Sequence, residues 1–243
     1  DKAIAAMLSP NPPDVLATHL TLHFPGYVNA GLLEPLQPRV DSSKVLKKEN
    51  WFPANWTDGY FNKTLYAISY RGGVSGLYYN VALFRKAGLD PDRPPVVRDP
   101  ELLNAALKLT NAAEGVHGYG MPASAKSDHI VADSLMAIIA FGGDWANAER
   151  TKSLLNTPQS VKGVTWWSEL HTKHKVVPPS LFDNTHAEIG RLFGAGKVGM
   201  FIAGGYARDY VKNTATPDLD YRVSPQPVDG LAFGGGWGFS IPK

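Results

Sequence analysis

Two histidine pairs have a spacing that could hold a metal ion: His19 with His23, and His171 with His174 in a stretch that reads as helix. A metal site needs further donors, and no neighbouring carboxylate pattern completes either set, so both pairs read as solvated surface. There is no Gly-x-Ser-x-Gly for a nucleophilic serine, no glycine-rich loop ending in Lys-Ser/Thr for a phosphate, and no His-Glu-x-x-His. Paired carboxylates for glycoside hydrolysis stay open, because acidic residues are plentiful and their pairing is spatial. Aromatic residues offer a different chemistry. The chain holds six Trp, ten Tyr and ten Phe, whose flat faces can cover the C–H surface of a bound molecule while planar and charged side chains hydrogen-bond its polar groups. Most must pack a core. Trp237 differs, because it stands in Gly234-Gly235-Gly236-Trp237-Gly238, among neighbours too small to shield it.

The elements that must position such residues alternate between strand and helix. A helix over Ala3 to Leu8 leads through the turn Asn11-Pro12-Pro13-Asp14 to a short buried strand, Val15-Leu16-Ala17, which puts Thr18, His19 and Thr21 beyond its carboxyl end. Trp51 to Tyr60 is an aromatic loop or short helix, and Asn62-Lys63 tips a hairpin. Tyr66 to Tyr79 then reads as one strand whose apolar halves flank Gly72-Gly73, where a bend is cheap. Tyr70 and Arg71 stand beside that bend. Asp99 caps a helix starting at Pro100, with Leu102, Leu103, Ala106, Leu107 and Leu109 buried. A strand over Gly118 to Met121 feeds a helix from Asp128 to Phe141 that Gly142-Gly143 ends, with Ser124, Asp128 and His129 at its start. Thr157-Pro158 opens a helix carrying Val161, Val164, Trp167 and Leu170 on one face, and Thr185 with Glu188 forms a capping box for another. Val198 to Ala203 is a buried strand, Gly204-Gly205 turns sharply, Tyr206 to Asn213 is a helix carrying Arg208, and Tyr221 to Ser224 is a strand. The alternation predicts an α/β fold with mixed, largely parallel sheets flanked by helices.

Composition narrows the function. The chain has 243 residues, 44% hydrophobic and 19% charged, enough for one large or two modest domains. A net charge of +2 without a Lys/Arg stripe leaves no nucleic-acid footprint. No apolar run reaches the roughly 20 residues that span a bilayer. The absence of cysteine removes disulfides, thiolate catalysis and Cys-ligated metals together. The chain opens at Asp1-Lys2-Ala3 and stops at Ile241-Pro242-Lys243, just after a strand, and is expected to lack pieces at both ends.

Four segments resemble, in order, the bacterial extracellular solute-binding proteins, the receptors of sugar ABC importers of the maltose-binding-protein type. They are Gly31-Leu32-Leu33-Glu34-Pro35-Leu36, the stretch from Tyr66 to Pro95, Phe193-Gly194-Ala195-Gly196-Lys197-Val198-Gly199-Met200, and Gly236-Trp237-Gly238-Phe239-Ser240-Ile241-Pro242-Lys243. One departure is Arg98, where the family usually has Trp before the helix-capping Asp. The resemblance implies a two-lobe, periplasmic binding protein-like (type II) fold: residues 1–71 as a partial first lobe, 72–76 as a hinge crossing, 77–232 as the second lobe, and 233–243 as a crossing that returns. It implies a protein of the periplasm or the extracellular face of the cell membrane, free or lipid-anchored, monomeric, with no cofactor. Such a protein closes on a carbohydrate and delivers it to ABC permease subunits. Ligand contacts implied or read from position are Trp237, Tyr206, Tyr70, Arg71, His19, Asp128, Gly236 and Arg208. A carbohydrate-active enzyme, or a receptor for a sugar phosphate, polyamine or other non-sugar, are the alternatives.

Overall fold

Strand and helix follow from local signals that mostly agree with one another. The computed structural model describes residues 2–97, 100–126, 129–147, 151–225 and 234–243, with the backbone alone at 129 and 132. The chain forms two compact units, one of Asp1–Val74 with Gly234–Lys243 and one of Ser75–Phe233, so it passes twice between them.

In the first unit the order is α1 (Lys2–Met7), β1 (Leu16–His19), α2 (Phe24–Asn29), α3 (Gln37–Asp41), α4 (Pro53–Thr57), β2 (Tyr60–Phe61), β3 (Thr64–Leu65) and β4 (Ala67–Val74). Asn62 and Lys63 both take positive φ (46° and 65°), the backbone a two-residue β2–β3 hairpin requires. The second unit runs β5 (Gly76–Asn80), α5 (Val81–Lys86), α6 (Glu101–Leu109), β6 (His117–Gly120), α7 (His129–Ala140), α8 (Pro158–Thr172), α9 (His186–Gly194), β7 (Val198–Ala203), α10 (Ala207–Lys212) and β8 (Tyr221–Pro225). The chain then returns to the first unit as β9 (Gly234–Ser240).

β9 is the centre of a three-stranded sheet, β1-β9-β4, antiparallel to both neighbours. Its burial alternates residue by residue. Gly236, Gly238 and Ser240 face inward with Thr18, Ser69 and Ala67, while Trp237 and Phe239 face out. The inward face packs on Met7, Leu20, Phe24, Tyr27 and Leu33. The expected bend at Gly72-Gly73 is not where the strand breaks: both glycines lie inside β4, paired with Gly236 and Gly235, and the break falls at Ser75. Backbone pairing to β9 holds the two glycines extended.

The second unit has a four-stranded sheet in the order β6-β7-β5-β8. Its faces are covered separately, by Leu77, Tyr79, Met200 and Ile202 against α6, α7 and α8, and by Tyr78, Phe201 and Ala203 against α9 and α10. Burial on both sides explains why β7 reads as the unbroken apolar run Val198–Ala203. The sheet is mixed, but among the described residues only β6–β7 is parallel, which corrects the expectation of largely parallel strands. Gly76, the first residue of β5, pairs with Pro225, the last of β8. Entry and exit of the chain at one end of the sheet force these two strands to run oppositely.

Two helix faces also differ from expectation. On α8 the buried residues are Ser160, Gly163, Trp166 and Leu170, whereas Val161 and Val164 are exposed. Small residues decide this: a Cβ on Gly163 would lie 2.6 Å from the Ala137 carbonyl oxygen of α7, so close helix approach outweighs burial of two valines. On α6 Leu107 is exposed, Ala105 takes its place inside, and the helix starts one residue late with Pro100 at its N-cap. Asp99 and Asp128, expected as caps, lie outside the described residues.

The capping box at α9 is present. Thr185 Oγ1 accepts from the Ala187 amide at 3.1 Å and Glu188 Oε2 accepts from the Thr185 amide at 3.0 Å. Thr185→Ala is expected to cost about 1 kcal/mol, a fall in Tm of about 2–4 °C by differential scanning calorimetry.

Candidate functional site

The first unit brings five of the expected residues together on three adjacent strands. Trp237 of β9 lies opposite His19 of β1 and opposite Arg71 of β4. Directly paired residues share a face, so indole, imidazole and guanidinium stand on one side of the sheet. The Trp237 ring meets the His19 ring edge-on, centroids 5.5 Å apart, and remains 38% exposed.

The register slips between Ser69 and Arg71, leaving Tyr70 as an extra residue. Such bulges re-aim a side chain. Here Tyr70 stacks on Phe239 at 4.2 Å and stays exposed, and Trp51 Nε1 donates to the Ser69 carbonyl at 2.6 Å beside the slip. Gly236 takes part through its backbone. Its carbonyl accepts from the Leu20 amide at 3.0 Å, and a Cβ there would come within 2.2 Å of the Arg71 carbonyl oxygen. Phe239 belongs to this exposed face too; the alternation Trp237-Gly238-Phe239 within one strand is the signal that finds it.

In the second unit Tyr206 and Arg208 stand at the start of α10, after the Gly204-Gly205 turn. Arg208 is exposed. The Tyr206 ring folds back over Gly204, where a Cβ would lie 2.8 Å from Cε1, and meets the ring of His186 edge-on at 5.8 Å. The Tyr78 hydroxyl donates to the Gly204 carbonyl at 3.1 Å and fixes the turn.

Sequence reasoning missed the groups beneath Tyr206. His186, the first residue of α9, is buried, with Nε2 3.2 Å from the Ile202 carbonyl oxygen and 3.7 Å from Oδ2 of Asp133 in α7. Asp133 is buried as well, and burial pushes its carboxyl well above the usual carboxylate range. Burial, and after it the Asp133 charge, raises the hydroxyls of Tyr206 and Tyr119. An acid inside the otherwise apolar helix HIVADSLMAIIA was the available signal. These groups gather where β6 and β7, the parallel pair, end.

Since folding raises this carboxyl above its ordinary value of 3.8, the favourable contribution is complete below that pH and is lost as pH rises through the folded value. Asp133→Asn is therefore expected to gain in Tm relative to wild type on going from pH 4 to pH 8, checked by melts across that range.

Among the described residues no group of three or more His, Asp or Glu is arranged to hold a metal, and no helix is long and apolar enough to cross a membrane.

Residues 1–243 match the sequence profile described as bacterial extracellular solute-binding protein. The chain belongs to this family. A binding protein of Brucella abortus (strain 2308) is 28% identical over 203 residues, 83% of this chain and 46% of its own length. An ABC transporter solute-binding protein of Thermotoga lettingae TMO, solved with α-D-tagatose bound, is 27% identical with a TM-score of 0.86, covering 100% of this chain and 62% of that one. A maltose-bound T. maritima protein is 25% identical with a TM-score of 0.79, covering 100% and 60%. The fold of this solute-binding protein is thus the type II periplasmic binding-protein fold, mixed α/β throughout. It spans about half the length of the Brucella relative and about three fifths of the solved ones.

Proposed function

We propose that this chain is the substrate-binding component of an ABC importer and captures a carbohydrate between its two units by hinge closure. The observation that carries the reading is the shared face of His19, Arg71 and Trp237, of which Arg71 and Trp237 stand on the strands that lead into and return from the second unit. An exposed indole flanked by an imidazole and a guanidinium supplies both devices a sugar needs: a flat apolar platform and hydrogen-bonding groups at its rim. The second unit contributes Tyr206, and the two crossings between the units, after Val74 and ahead of Gly234 in the chain, serve as the hinges, with ligand selecting the closed state. Tagatose and maltose in the solved relatives make small sugars the first candidates.

The protein works at the periplasmic or extracellular face, free or lipid-anchored, as a monomer that hands its sugar to permease subunits and binds no nucleic acid. It needs no cofactor and performs no catalysis, since release is driven by the transporter. An anionic ligand is the second reading, favoured by Arg71, which is exposed and makes no ion pair among the described residues.

A thermal-shift screen over sugars, polyols, sugar phosphates and polyamines tests both readings, because a ligand that binds only the native state raises Tm. A shift with neutral sugars alone supports the first reading; a shift with sugar phosphates alone replaces it with the second. Long incubation with the stabilising sugar should return it chemically intact, and smaller products would make the protein a hydrolase.

A further inference from the structure

We propose that Asp133, acting through His186, is a positioning residue for Tyr206. The inference rests on reading Tyr206 as a ligand contact, and it adds two residues from other elements that govern that contact.

An ionisable group inside an apolar helix is costly unless something uses it. Asp133 sits in α7 next to buried Met136, Ala137 and Ile138, with its carboxyl oxygen 3.7 Å from His186 Nε2. The imidazole is held from two further sides: the capping box fixes the first turn of α9 on which it rides, and the Ile202 carbonyl of β7 accepts from Nε2 at 3.2 Å in the Nε2–H tautomer. With its Nε2 edge engaged in this way, the ring presents itself to Tyr206 in the edge-on contact at 5.8 Å. Gly204 leaves room for the tyrosine to lie back onto it. The order of contacts is therefore carboxyl, imidazole, phenol, running outward from the interior of the unit.

Among the described residues, three groups face Asp133. α9 presents His186, the turn before α10 presents Tyr206, and β6 presents Tyr119. α8 packs on α7 through Ser160, Gly163, Trp166 and Leu170, none of them charged, and no lysine or arginine pairs with Asp133 among the described residues. The Asp133 carboxyl stays neutral beyond the ordinary carboxylate range and becomes charged as pH rises further. The new charge acts on the imidazole 3.7 Å away and on the tyrosine that leans on the imidazole.

The test needs no ligand. The whole chain is prepared with 13C-labelled tyrosine, the Tyr206 ring signals are identified by their loss in Tyr206→Phe, and they are followed by NMR over pH. Wild type should show one step, with its midpoint above the ordinary carboxylate range. Asp133→Asn, neutral and of the same shape, should keep the low-pH signal position and lose the step. His186→Gln should reduce the step while Asp133 is intact. Absence of a step in wild type, or its persistence unchanged in Asp133→Asn or His186→Gln, overturns the inference, and the wild-type titration can overturn it even where a variant fails to fold. D-tagatose thermal shifts separate this from the ligand reading. An undiminished shift in Tyr206→Phe, with the NMR step present, removes the tyrosine from the ligand site and leaves the Asp133–His186 coupling standing.

Discussion

Replacing Trp237 by alanine is expected to weaken sugar binding by about thirtyfold, about 2 kcal/mol, while leaving the melting temperature within about 4 °C of wild type. The two halves of this expectation have separate causes. The indole is 38% exposed and lies on the outward side of β9, so truncation opens no cavity in the core formed by Met7, Leu20, Phe24, Tyr27 and Leu33. Its only ring partner among the described residues is His19, in an edge-on contact worth about 1 kcal/mol at most. What the ring offers a ligand is a face, and alanine offers none. Trp237→Phe should keep part of the platform and fall between the two. Calorimetric titration with the sugar found in the screen measures both variants; an affinity unchanged in Trp237→Ala would take this residue out of the site.

Gly236→Ala should be a strongly damaging small substitution in the first unit, costing about 3 kcal/mol and lowering Tm by about 6–12 °C. The added carbon would lie 2.2 Å from the Arg71 carbonyl oxygen, and the obstacle is backbone, which cannot rotate away. β4 and β9 pair through Gly72 and Gly236, so relief means separating the strands that carry Arg71 and Trp237. Ligand affinity should fall along with stability. Gly73 supplies the control: it pairs in the same ladder, yet a Cβ there meets nothing within 4 Å, and Gly73→Ala should change stability by no more than about 0.5 kcal/mol. Equal melting temperatures for the two variants would show that strand separation at this point is cheap, contrary to the close approach of the backbones.

Much of this molecule is legible in its sequence because local signals there agree. Val198–Ala203 reads as a buried strand from its apolar run, the Thr185/Glu188 box marks the start of α9, and Asn62-Lys63 marks a hairpin tip; each appears in the structure. The failures share one cause, which is that tertiary contacts are invisible in a linear pattern. Val161 and Val164 have the right spacing for a buried face, but Gly163 permits the closer helix contact and turns them outward. Strand–helix alternation suggests parallel strands, but a chain that enters along β5 and leaves along β8 at the same end pairs them antiparallel. Within the site, Trp237 could be singled out because glycine neighbours leave a large ring unshielded. Asp133 and His186 could not be joined in sequence, since they are far apart along the chain and meet only where α7 and α9 converge. Asp128 stands out in the sequence by its position before a helix and lies outside the described residues, whereas Asp133, inside that helix, is the acid beneath Tyr206.

Closure on a carbohydrate is tested most directly by a distance measured across the two units. The chain has no cysteine, so Lys44→Cys in the first unit and Lys173→Cys in the second, both exposed, give two unique labelling positions. Pulsed electron spin resonance on the doubly labelled protein should show a distance distribution that shifts and narrows when the stabilising sugar is present at a few times its Kd, and that changes far less in Trp237→Ala at the same sugar concentration. A sugar that binds by calorimetry while the wild-type distribution stays unchanged would contradict capture by hinge closure.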